Sequence, residues 1–526
     1  MDLRTATGAT PRHRRSGALK TPTRNARRSA VRKTPTGPPG GPVSIPSRGA
    51  VRRSRPAALT PTRIRVLALV VAVVVGALVV LLVVEVRREH TGLDVIGHRT
   101  APVVVASTDL YFALNDMDAQ LANILLVGNE TTLGFTRGQA LDIYQQRRGQ
   151  VSQDLQQAAA AADADPAAAQ SIRDILNALG RYETLAAQTI LLDAQTSHPA
   201  GQPSPATLAK YRDATDLLKA TLLPAAQDLT DRNAQTLERT YQAERGQTLT
   251  VRSWIIGIGA AALALLVLLQ VYIARRFHRW LNLALVTATL IVAGLAFSGV
   301  RLTTNGAEYL RGAKKDAFDS ILALDKARAV SYDANADESR YLVDPGRAAQ
   351  YEQAFLAKTQ QLVTMPGVTL STFDQSFDTA LHAYGHDNQN IEWRGYFGTE
   401  FRNITFTGER AAAETTLQKY QIYQVDDRRI RLLASSGHLR DSIAFCTSYN
   451  PGDSNYAFDQ YDKALSALIG INQRAFERSI DGGERQLAGW TVVPVVAGVL
   501  VVGLLLLGLR RRLAEYHISS SGRGTT

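Results

Sequence analysis

Two apolar runs separated by only five residues constrain this chain more than any other feature. The runs extend from Trp254 to Ala274 and from Leu281 to Val300. Each has about the 20 residues that a helix needs to cross the core of a bilayer, and neither contains an ionised side chain. The connection, Arg275–Arg279, leaves no room for a folded domain. The pattern therefore predicts a membrane hairpin of two helices.

Two further apolar runs, Val66–Val84 and Trp490–Leu509, are also long enough to span a bilayer. The first is followed by charged residues rather than by a small-residue cleavage site, so it is interpreted as an uncleaved helix and not as a secretion signal. The sequence thus predicts an all-α integral membrane protein with four transmembrane helices. The predicted spans are residues 66–84, 254–274, 280–300 and 490–509.

Basic residues predict the orientation of these spans. Residues 1–65 contain 16 Lys/Arg and one acidic residue, a net charge of +15, whereas the whole chain carries +12. The hairpin loop 275–279 adds three arginines, and the tail 510–526 begins with three more. Short basic segments stay in the cytoplasm. We therefore expect a multi-pass plasma-membrane protein with both termini cytoplasmic and with membrane lipid, not nucleic acid, as the partner of its basic charge.

The two segments expected outside the membrane, 85–253 and 301–489, have helical patterns. In the first, apolar residues spaced by three or four form one helical seam, and breaks at 128–138, 163–166 and 198–205 separate four helices. In the second, Leu322, Ala329, Ala336 and Val343 recur every seven residues. These patterns predict two tandem extracytoplasmic four-helix-bundle domains. The seam of the first segment is Leu110, Leu114, Met117, Leu121 and Ile124.

The two outer segments resemble each other in order, which indicates an internal duplication. Near the start, Asp116–Ala119 aligns with Asp333–Ala336, and Leu125 then aligns with Leu342. Near the end, 233–240 aligns with 472–479. Each unit would consist of a membrane helix, an outer bundle and a second membrane helix.

Two groups of outer residues are candidates for binding. Asp116, Asp118, Asp333 and Asn335 are candidates for a ligand or signalling motif, although charged residues on a helical bundle are mostly solvated surface. An aromatic cluster is a candidate partner-binding site, or else a hydrophobic plug where helices cross. Its members are Trp393, Tyr396, Phe397, Phe401 and Phe406. Thr407 and Glu409 resemble the cap of the next helix.

The cytoplasmic candidates are the arginine loop and the basic tail. Arg275, Arg276 and Arg279 could form a cytoplasmic output, or could simply hold the hairpin at the lipid headgroups. Residues 1–65 are rich in Arg, Pro and Thr without an apolar face, which predicts a disordered basic tail. Its Thr-Pro pairs could be phosphoacceptors, and the alternative is a polybasic membrane-surface tail. The four threonines are Thr10, Thr21, Thr34 and Thr60.

The sequence contains no catalytic motif, and its cytoplasmic parts are too short for an enzyme domain. We therefore predict no enzymatic activity and no cofactor. His382 and His386 are four residues apart, as in some metal sites, but no third ligand is evident, so no metal is predicted.

Several segments resemble the GlnX-type membrane sensors of actinobacteria, over about residues 64–516. The resemblance rests on the four spans, the helical outer segments, the loop 274–282, the stretch 401–410 and the ending 512–516. It implies a non-enzymatic transducer that relays amino-acid availability from an extracellular solute-binding lipoprotein (GlnH-like) to a cytoplasmic Ser/Thr kinase (protein kinase G-like). The basic Thr-Pro tail is not part of that pattern.

Two alternatives to this function stay open. One is a direct, chemoreceptor-like ligand-binding sensor whose output passes through another chain. The other is a structural protein of the cell envelope. A homodimer is compatible with each of these functions.

Overall fold

The computed structural model describes residues 59–161, 166–277, 282–387 and 390–518. Within these ranges the chain is helical, and the only extended pairing is an isolated bridge between Thr364 and Arg394. The predicted all-α class is therefore confirmed.

Four of the described helices are long and apolar enough to cross a membrane. Helix α1 packs against α6 and α15, and α7 packs against the same two helices, so the four apolar stretches enclose a common core. Large apolar side chains also cover the outward faces, including Leu69, Leu268, Phe297 and Leu506. Helices that are apolar all round are typical of membrane spans. The four helices are α1 (Leu59–Asp94), α6 (Leu223–Phe277), α7 (Leu283–Arg311) and α15 (Val493–Ile518).

The ends of these helices differ slightly from the predicted spans. Helix α1 begins at Leu59, seven residues before the predicted span, so the end of the predicted tail is helical. Helix α15 begins at Val493, after a turn that includes Trp490. Among the four apolar helices, α7 approaches α1 closely, since a Cβ on Gly299 would lie 2.5 Å from a methyl carbon of Leu82.

Three of the long helices continue into the outer segments through π-helical segments. The π-segments are π1 (Val95–Thr100), π2 (Leu218–Leu222) and π3 (Gly312–Phe318), and the helices that they join to α1, α6 and α7 are α2 (Ala101–Val127), α5 (Pro205–Leu217) and α8 (Asp319–Val343). The offset between Val95 and Gly312 equals that between Asp116 and Asp333. π-Helical segments are rare in proteins, and those that occur often lie at functional sites.

The first outer segment follows its predicted pattern. Besides α2, α5 and the start of α6, it contains α3 (Arg137–Ala161) and α4 (Pro166–Ala194). The predicted breaks 128–138 and 198–205 coincide with connections between described helices, the break 163–166 lies almost entirely outside the described residues, and the five seam residues are fully buried. The seam and these two breaks are therefore confirmed.

The second outer segment is divided, among the described residues, into more helices than the four predicted. Glycines with positive φ lie between these helices, as Gly367, Gly408 and Gly437 do, or begin one, as Gly395 does, because they permit turns that other residues resist. The helices after α8 are α9 (Ala348–Leu362), α10 (Phe373–His386), α11 (Gly395–Asn403), α12 (Glu409–Ser435), α13 (Leu439–Thr447) and α14 (Ser454–Leu487).

The two outer segments share one apolar core. Helix α2 packs against α8, and Leu114 and Leu121 belong to the same buried cluster as Leu342, Ile430 and Ile443. A second core lies within residues 324–469. The segments are thus joined by α2 and α8, the first outer helix of each.

Four members of the aromatic cluster, Trp393, Tyr396, Phe397 and Phe401, lie in or against that second core. Trp393 and Phe397 are fully buried, Phe401 is nearly so, and Tyr396 and Phe406 are half-buried. This burial favours the packing role of the cluster over partner binding. The predicted cap is also corrected: Gly408, at φ 86°, precedes α12, and the Glu409 carboxylate accepts hydrogen bonds from the Thr405 and Phe406 amides.

Candidate functional site

Six charged side chains meet between α2 and α8, and we call them the buried charge network. Asp118 belongs to α2, Lys219 to π2 and Lys358 to α9. Asp333, Asp337 and Arg340 lie on α8 at spacings of four and three, which places them on one helical face. The network therefore draws side chains from both outer segments.

Arg340 is the centre of the network and is completely buried. Its Nη2 donates to Asp118 Oδ2 over 2.9 Å, and Nε donates to the same oxygen over 3.1 Å. Its Nη1 donates to Asp333 Oδ1 over 3.0 Å and to Asp337 Oδ1 over 2.7 Å. One guanidinium thus binds three carboxylates, of which Asp118 comes from the other segment.

Two lysines balance the remaining negative charge. Lys358 Nζ lies 2.7 Å from Asp333 Oδ1 and 2.5 Å from Asp337 Oδ2. Lys219 Nζ lies 3.0 Å from Asp337 Oδ1. The lysine side chains are 13% and 30% exposed, whereas Asp337 is not exposed at all. Three cations therefore face three carboxylates, and the network is neutral as a whole.

Two hydroxyl groups of the first segment also donate hydrogen bonds to the Asp118 carboxylate. Tyr182 of α4 donates to Asp118 Oδ1 over 3.1 Å, and Thr215 of α5 donates to it over 2.8 Å. Nearby, Ser339 donates to Asn123 over 2.8 Å and adds a second hydrogen bond between α8 and α2. Because the groups come from α2, α4, α5 and α8, the position of each of these helices is tied to the others.

Burial and neighbouring charge shift the pKa values of this network in opposite ways. Burial alone would raise the pKa of Asp337, but Lys358, Arg340 and Lys219 outweigh it and lower that pKa. Burial lowers the pKa of Lys219 to about 8, and Arg340 adds to this effect although Asp337 opposes it. Asp337 therefore stays ionised at neutral pH.

The arrangement stabilises one relative position of α2 and α8. Removing one member of a buried ion pair leaves an uncompensated charge and costs about 3–5 kcal/mol. An axial shift of α2 along α8 would separate Asp118 from Arg340 unless both helices moved together. The network therefore suits mechanical coupling.

The other acidic candidates lie beside the network. Asp116 pairs with Arg147 of α3, just as Asp333 pairs with Lys358 of the helix that follows its own. Asn335 donates to Glu338 over 3.1 Å. The structure thus brings Asp118 and Asp333 into one network, whereas Asp116 and Asn335 make separate contacts.

Further ion pairs connect the two segments along their length. Lys326 lies 2.7 Å from Asp231, and Lys315 lies 3.0 Å from Glu238. Arg347 binds Asp216 with distances of 2.7 and 3.0 Å, but this pair is partly exposed. Exposed pairs contribute roughly 0–1 kcal/mol each, so the buried network contributes most to specificity.

The remaining candidates lie at or beyond the limits of the described residues. Arg275 and Arg276 lie in the last turn of α6, and Arg279 lies outside the described residues. Thr10, Thr21 and Thr34 also lie outside them, and Thr60 lies in the first turn of α1. His382 is exposed near Asp378, and the described part of the chain contains no group of three or more His, Cys, Asp or Glu side chains that could hold a metal ion.

Sequence reasoning missed the three cations of the network, Arg340, Lys219 and Lys358. The seven-residue repeat of α8 contains a signal for Arg340. Asp333 lies four positions after Ala329, and Arg340 lies four positions after Ala336. Both therefore lie on the face that packs. No comparable signal identifies Lys219 or Lys358.

Comparison with known proteins adds one finding. Residues 92–242 match the model of the actinobacterial sensor domain. This range begins at the end of α1 and includes π1, α2, Asp118 and Lys219. No curated protein and no solved structure matches the chain significantly. The match and the four apolar helices together indicate a membrane protein with a role in sensing or signalling.

Proposed function

We propose that this protein is a non-enzymatic transmembrane signal transducer. Its four apolar helices are inserted in the plasma membrane with both termini in the cytoplasm, and its two outer segments are a duplicated sensory unit. The protein relays the availability of an external amino acid, which it receives through a solute-binding lipoprotein, to a cytoplasmic Ser/Thr kinase. The resemblance to GlnX-type sensors supports these partners, and the sensor-domain match supports the general role.

One structural observation carries the proposal. Helices α2 and α8 are joined by the buried charge network, and each continues through a π-segment into a membrane-length helix, α1 or α7. A shift imposed on either outer segment would therefore reach two spans at once. Helix shifts of about 1–2 Å are sufficient in known signalling transitions. A ligand or partner can cause such a shift only if it binds one arrangement more tightly than the other.

The test compares a buried and an exposed aspartate that both contact the other segment. Asp118→Asn keeps the size of the side chain but removes its charge from Arg340, whereas Asp216→Asn weakens the exposed contact with Arg347. The variants are expressed in cells that lack the native gene, and intracellular glutamate and 2-oxoglutarate are measured against the concentration of external amino acid. We expect Asp118→Asn to shift the amino-acid concentration that gives a half-maximal response at least about tenfold. One lost charge pair is worth more than about 1.4 kcal/mol, which corresponds to that factor. Asp216→Asn should respond normally.

Membrane abundance must be measured in parallel. A full response from Asp118→Asn at normal abundance would contradict the coupling role of the network. A reporter that is active only outside the cytoplasm should be active after Pro166 or Gly385 and silent after Arg279, and activity after Arg279 would contradict the orientation.

The same assays separate the two alternative functions. A direct ligand-binding sensor would respond to amino acid in cells that lack every solute-binding lipoprotein gene. A structural envelope protein would give no metabolic response in any variant, and its deletion would weaken the envelope instead.

A further inference from the structure

Helices α1, α6, α7 and α14 enclose a cavity of about 270 Å³ beside the outer ends of the predicted spans. Along α1 it lies just beyond the predicted span 66–84, because Glu89 and Leu93 line it and both follow that span. Most of its lining is apolar, with Tyr241, Leu310 and Leu487 among the contributors. Small-molecule sites commonly have this character: a mostly apolar cavity with a few polar groups.

One of those polar groups is a carboxylate without a hydrogen-bond partner. Glu89 is 9% exposed, and both of its carboxylate oxygens are buried, with no hydrogen-bond donor within reach in the described part of the chain. The carboxylate is pressed against the backbone of α7, since a Cβ on Gly306 would lie 3.0 Å from Glu89 Oε2. A buried carboxylate without a counter-charge is costly, so burial raises the pKa of Glu89 to about 8, and a cation bound in the cavity would favour the ionised carboxylate.

The neighbouring cation, Arg88, binds other carboxylates and leaves Glu89 without an ion-pair partner. Arg88, one residue earlier, donates to Glu85 over 3.2 Å and to Glu244 over 3.0 Å. Three carboxylates, those of Glu85, Glu89 and Glu244, thus share one guanidinium. Other charged residues of the lining are Arg245 and Arg252 of α6 and Glu308 and Arg311 of α7, and α14 contributes Gln486 and no charge. Of these, Arg245, Glu308 and Arg311 are exposed at the rim.

The lining selects among cations. A divalent metal ion requires about six oxygen ligands, whereas Glu89 is the only carboxylate of the lining that is both buried and unpaired. An alkylammonium ion fits better, because its charge can pair with Glu89 while its carbon atoms contact Leu93, Leu310 and Leu487.

We propose that this cavity binds a primary ammonium group on a short apolar body, with the Glu89 carboxylate as its counter-ion. Two sources supply this chemistry: a free alkylamine, or the ethanolamine headgroup of a membrane phospholipid. The lipid source alone rests on the proposed insertion of the four helices in a membrane. The site adds a ligand to the protein that is independent of the proposed lipoprotein and kinase.

The test measures hexylamine binding to the full-length protein in detergent. The melting temperature is recorded against hexylamine concentration, with hexanol as the uncharged probe of equal length. A ligand that binds only the folded state raises the melting temperature. We expect hexylamine to do so and hexanol to do so far less.

Two carboxylate variants locate the site. Glu89→Gln should weaken hexylamine binding about tenfold or more, as loss of a charge-assisted hydrogen bond does. Glu308→Gln, at the exposed rim of the same cavity, should bind within about twofold of the native chain, because a solvated charge contributes little. Equal binding by the native chain and Glu89→Gln, or equal effects of hexanol and hexylamine, would overturn the proposal.

A third variant keeps the test decisive if Glu89→Gln does not fold. Ala307→Leu adds carbon atoms to the half-buried wall of the cavity and leaves Glu89 in place. It should also weaken hexylamine binding, and unchanged binding would again overturn the site.

Lipid composition separates the two sources of the ammonium group. The native chain is placed in nanodiscs of phosphatidylglycerol alone or with phosphatidylethanolamine. If the headgroup is the ligand, phosphatidylethanolamine should raise the melting temperature of the native chain, not that of Glu89→Gln, and should reduce the effect of hexylamine. If only hexylamine has an effect, the ligand is a free amine.

Discussion

Helices α2 and α8 occupy the same place in their segments but contribute opposite halves of one contact. Each follows a π-segment, and each has an aspartate, Asp116 or Asp333, that binds a cation from the next helix. The equivalence ends at the centre of the interface. Where α8 has Arg340 the aligned residue of α2 is Asn123, and where α2 has Asp118 the aligned residue of α8 is Asn335.

This difference makes the two segments complementary. Asp118 of α2 needs the guanidinium that only α8 supplies, and its partners Tyr182 and Thr215 come from the first segment alone. A symmetric contact between two copies of α2 would bury two carboxylates without a cation, which is strongly unfavourable. A duplicated unit would thereby acquire a preference for its own partner segment, in the way that charged interfaces exclude wrong partners.

The largest expected effect comes from removing the cation at the centre of this contact. Arg340→Met fills a similar volume but leaves three buried carboxylates against two lysines. We expect the free energy of unfolding of the outer segments to fall by about 3–5 kcal/mol. Chemical unfolding of the full-length protein, followed by far-UV circular dichroism, measures the change.

Two further variants control for this result. Arg347→Met removes the exposed contact with Asp216 and should cost no more than about 1 kcal/mol. The double variant Asp118→Asn with Arg340→Met should be less destabilised than the sum of the single variants, because the two residues are coupled. Additive effects of the pair would show that α2 and α8 do not depend on this contact.

The sequence predicted the apolar side of this interface well. A seam of Leu110, Leu114, Met117, Leu121 and Ile124 is readable because burial of apolar residues on a helix repeats every three or four positions. The helix ends at Val127 and Val343 are also readable, since Gly128 and Pro345 follow them closely. Membrane-length helices are the clearest signal of all, because helices in water-soluble domains rarely contain about 20 apolar residues in succession.

The charged side could not be predicted in the same way. An aspartate on a helix is usually solvated, and only the partner across the interface shows that Asp118 is buried. That partner, Arg340, is 222 residues away in the chain, and no local pattern links the two. The aromatic cluster was ambiguous for the same reason, because an apolar group on one short segment can face either a core or a partner.

An effect that is smaller per pH unit should reveal a buried carboxyl group in the core of the second segment. Burial raises the pKa of Glu400 to about 8; the nearby Ser320 hydroxyl opposes the shift, and the Glu409 carboxylate adds to it. In the unfolded chain the carboxyl group has its ordinary pKa of 4.5. The folded state therefore holds the proton more tightly, and its stability should fall as pH rises from about 4.5 to about 8, by up to about 1.4 kcal/mol per pH unit.

Glu400→Gln cannot lose a proton, so it should reduce this pH dependence, to which Asp325 also contributes because burial raises its pKa to about 8. The exposed Glu477→Gln is the matched control and should retain it. Fluorescence of Trp393, which lies in the same core, reports unfolding of the second segment when Trp254, Trp280 and Trp490 are replaced by Phe. An unchanged pH dependence in Glu400→Gln would show that Glu400 is not the group that titrates.

The smallest effect on stability, and a large effect on function, is expected at the other place where the two units are joined. The charge network joins them outside the membrane, whereas the loop between α6 and α7 joins them in the cytoplasm under the proposed orientation. This loop is continuous with helices from both units, so a shift of either unit reaches it. Arg279→Ala leaves Arg275 and Arg276 as determinants of orientation, so insertion and surface abundance should stay normal. We expect the metabolic response to external amino acid to weaken, since three arginines in five residues offer an acidic partner a compact binding site.

Replacing all three arginines by alanine should abolish the response if the loop is the output. A normal response from that triple variant, correctly inserted, would exclude the loop and direct attention to the basic Thr-Pro tail, where Thr10, Thr21, Thr34 and Thr60 could then be tested by alanine substitution.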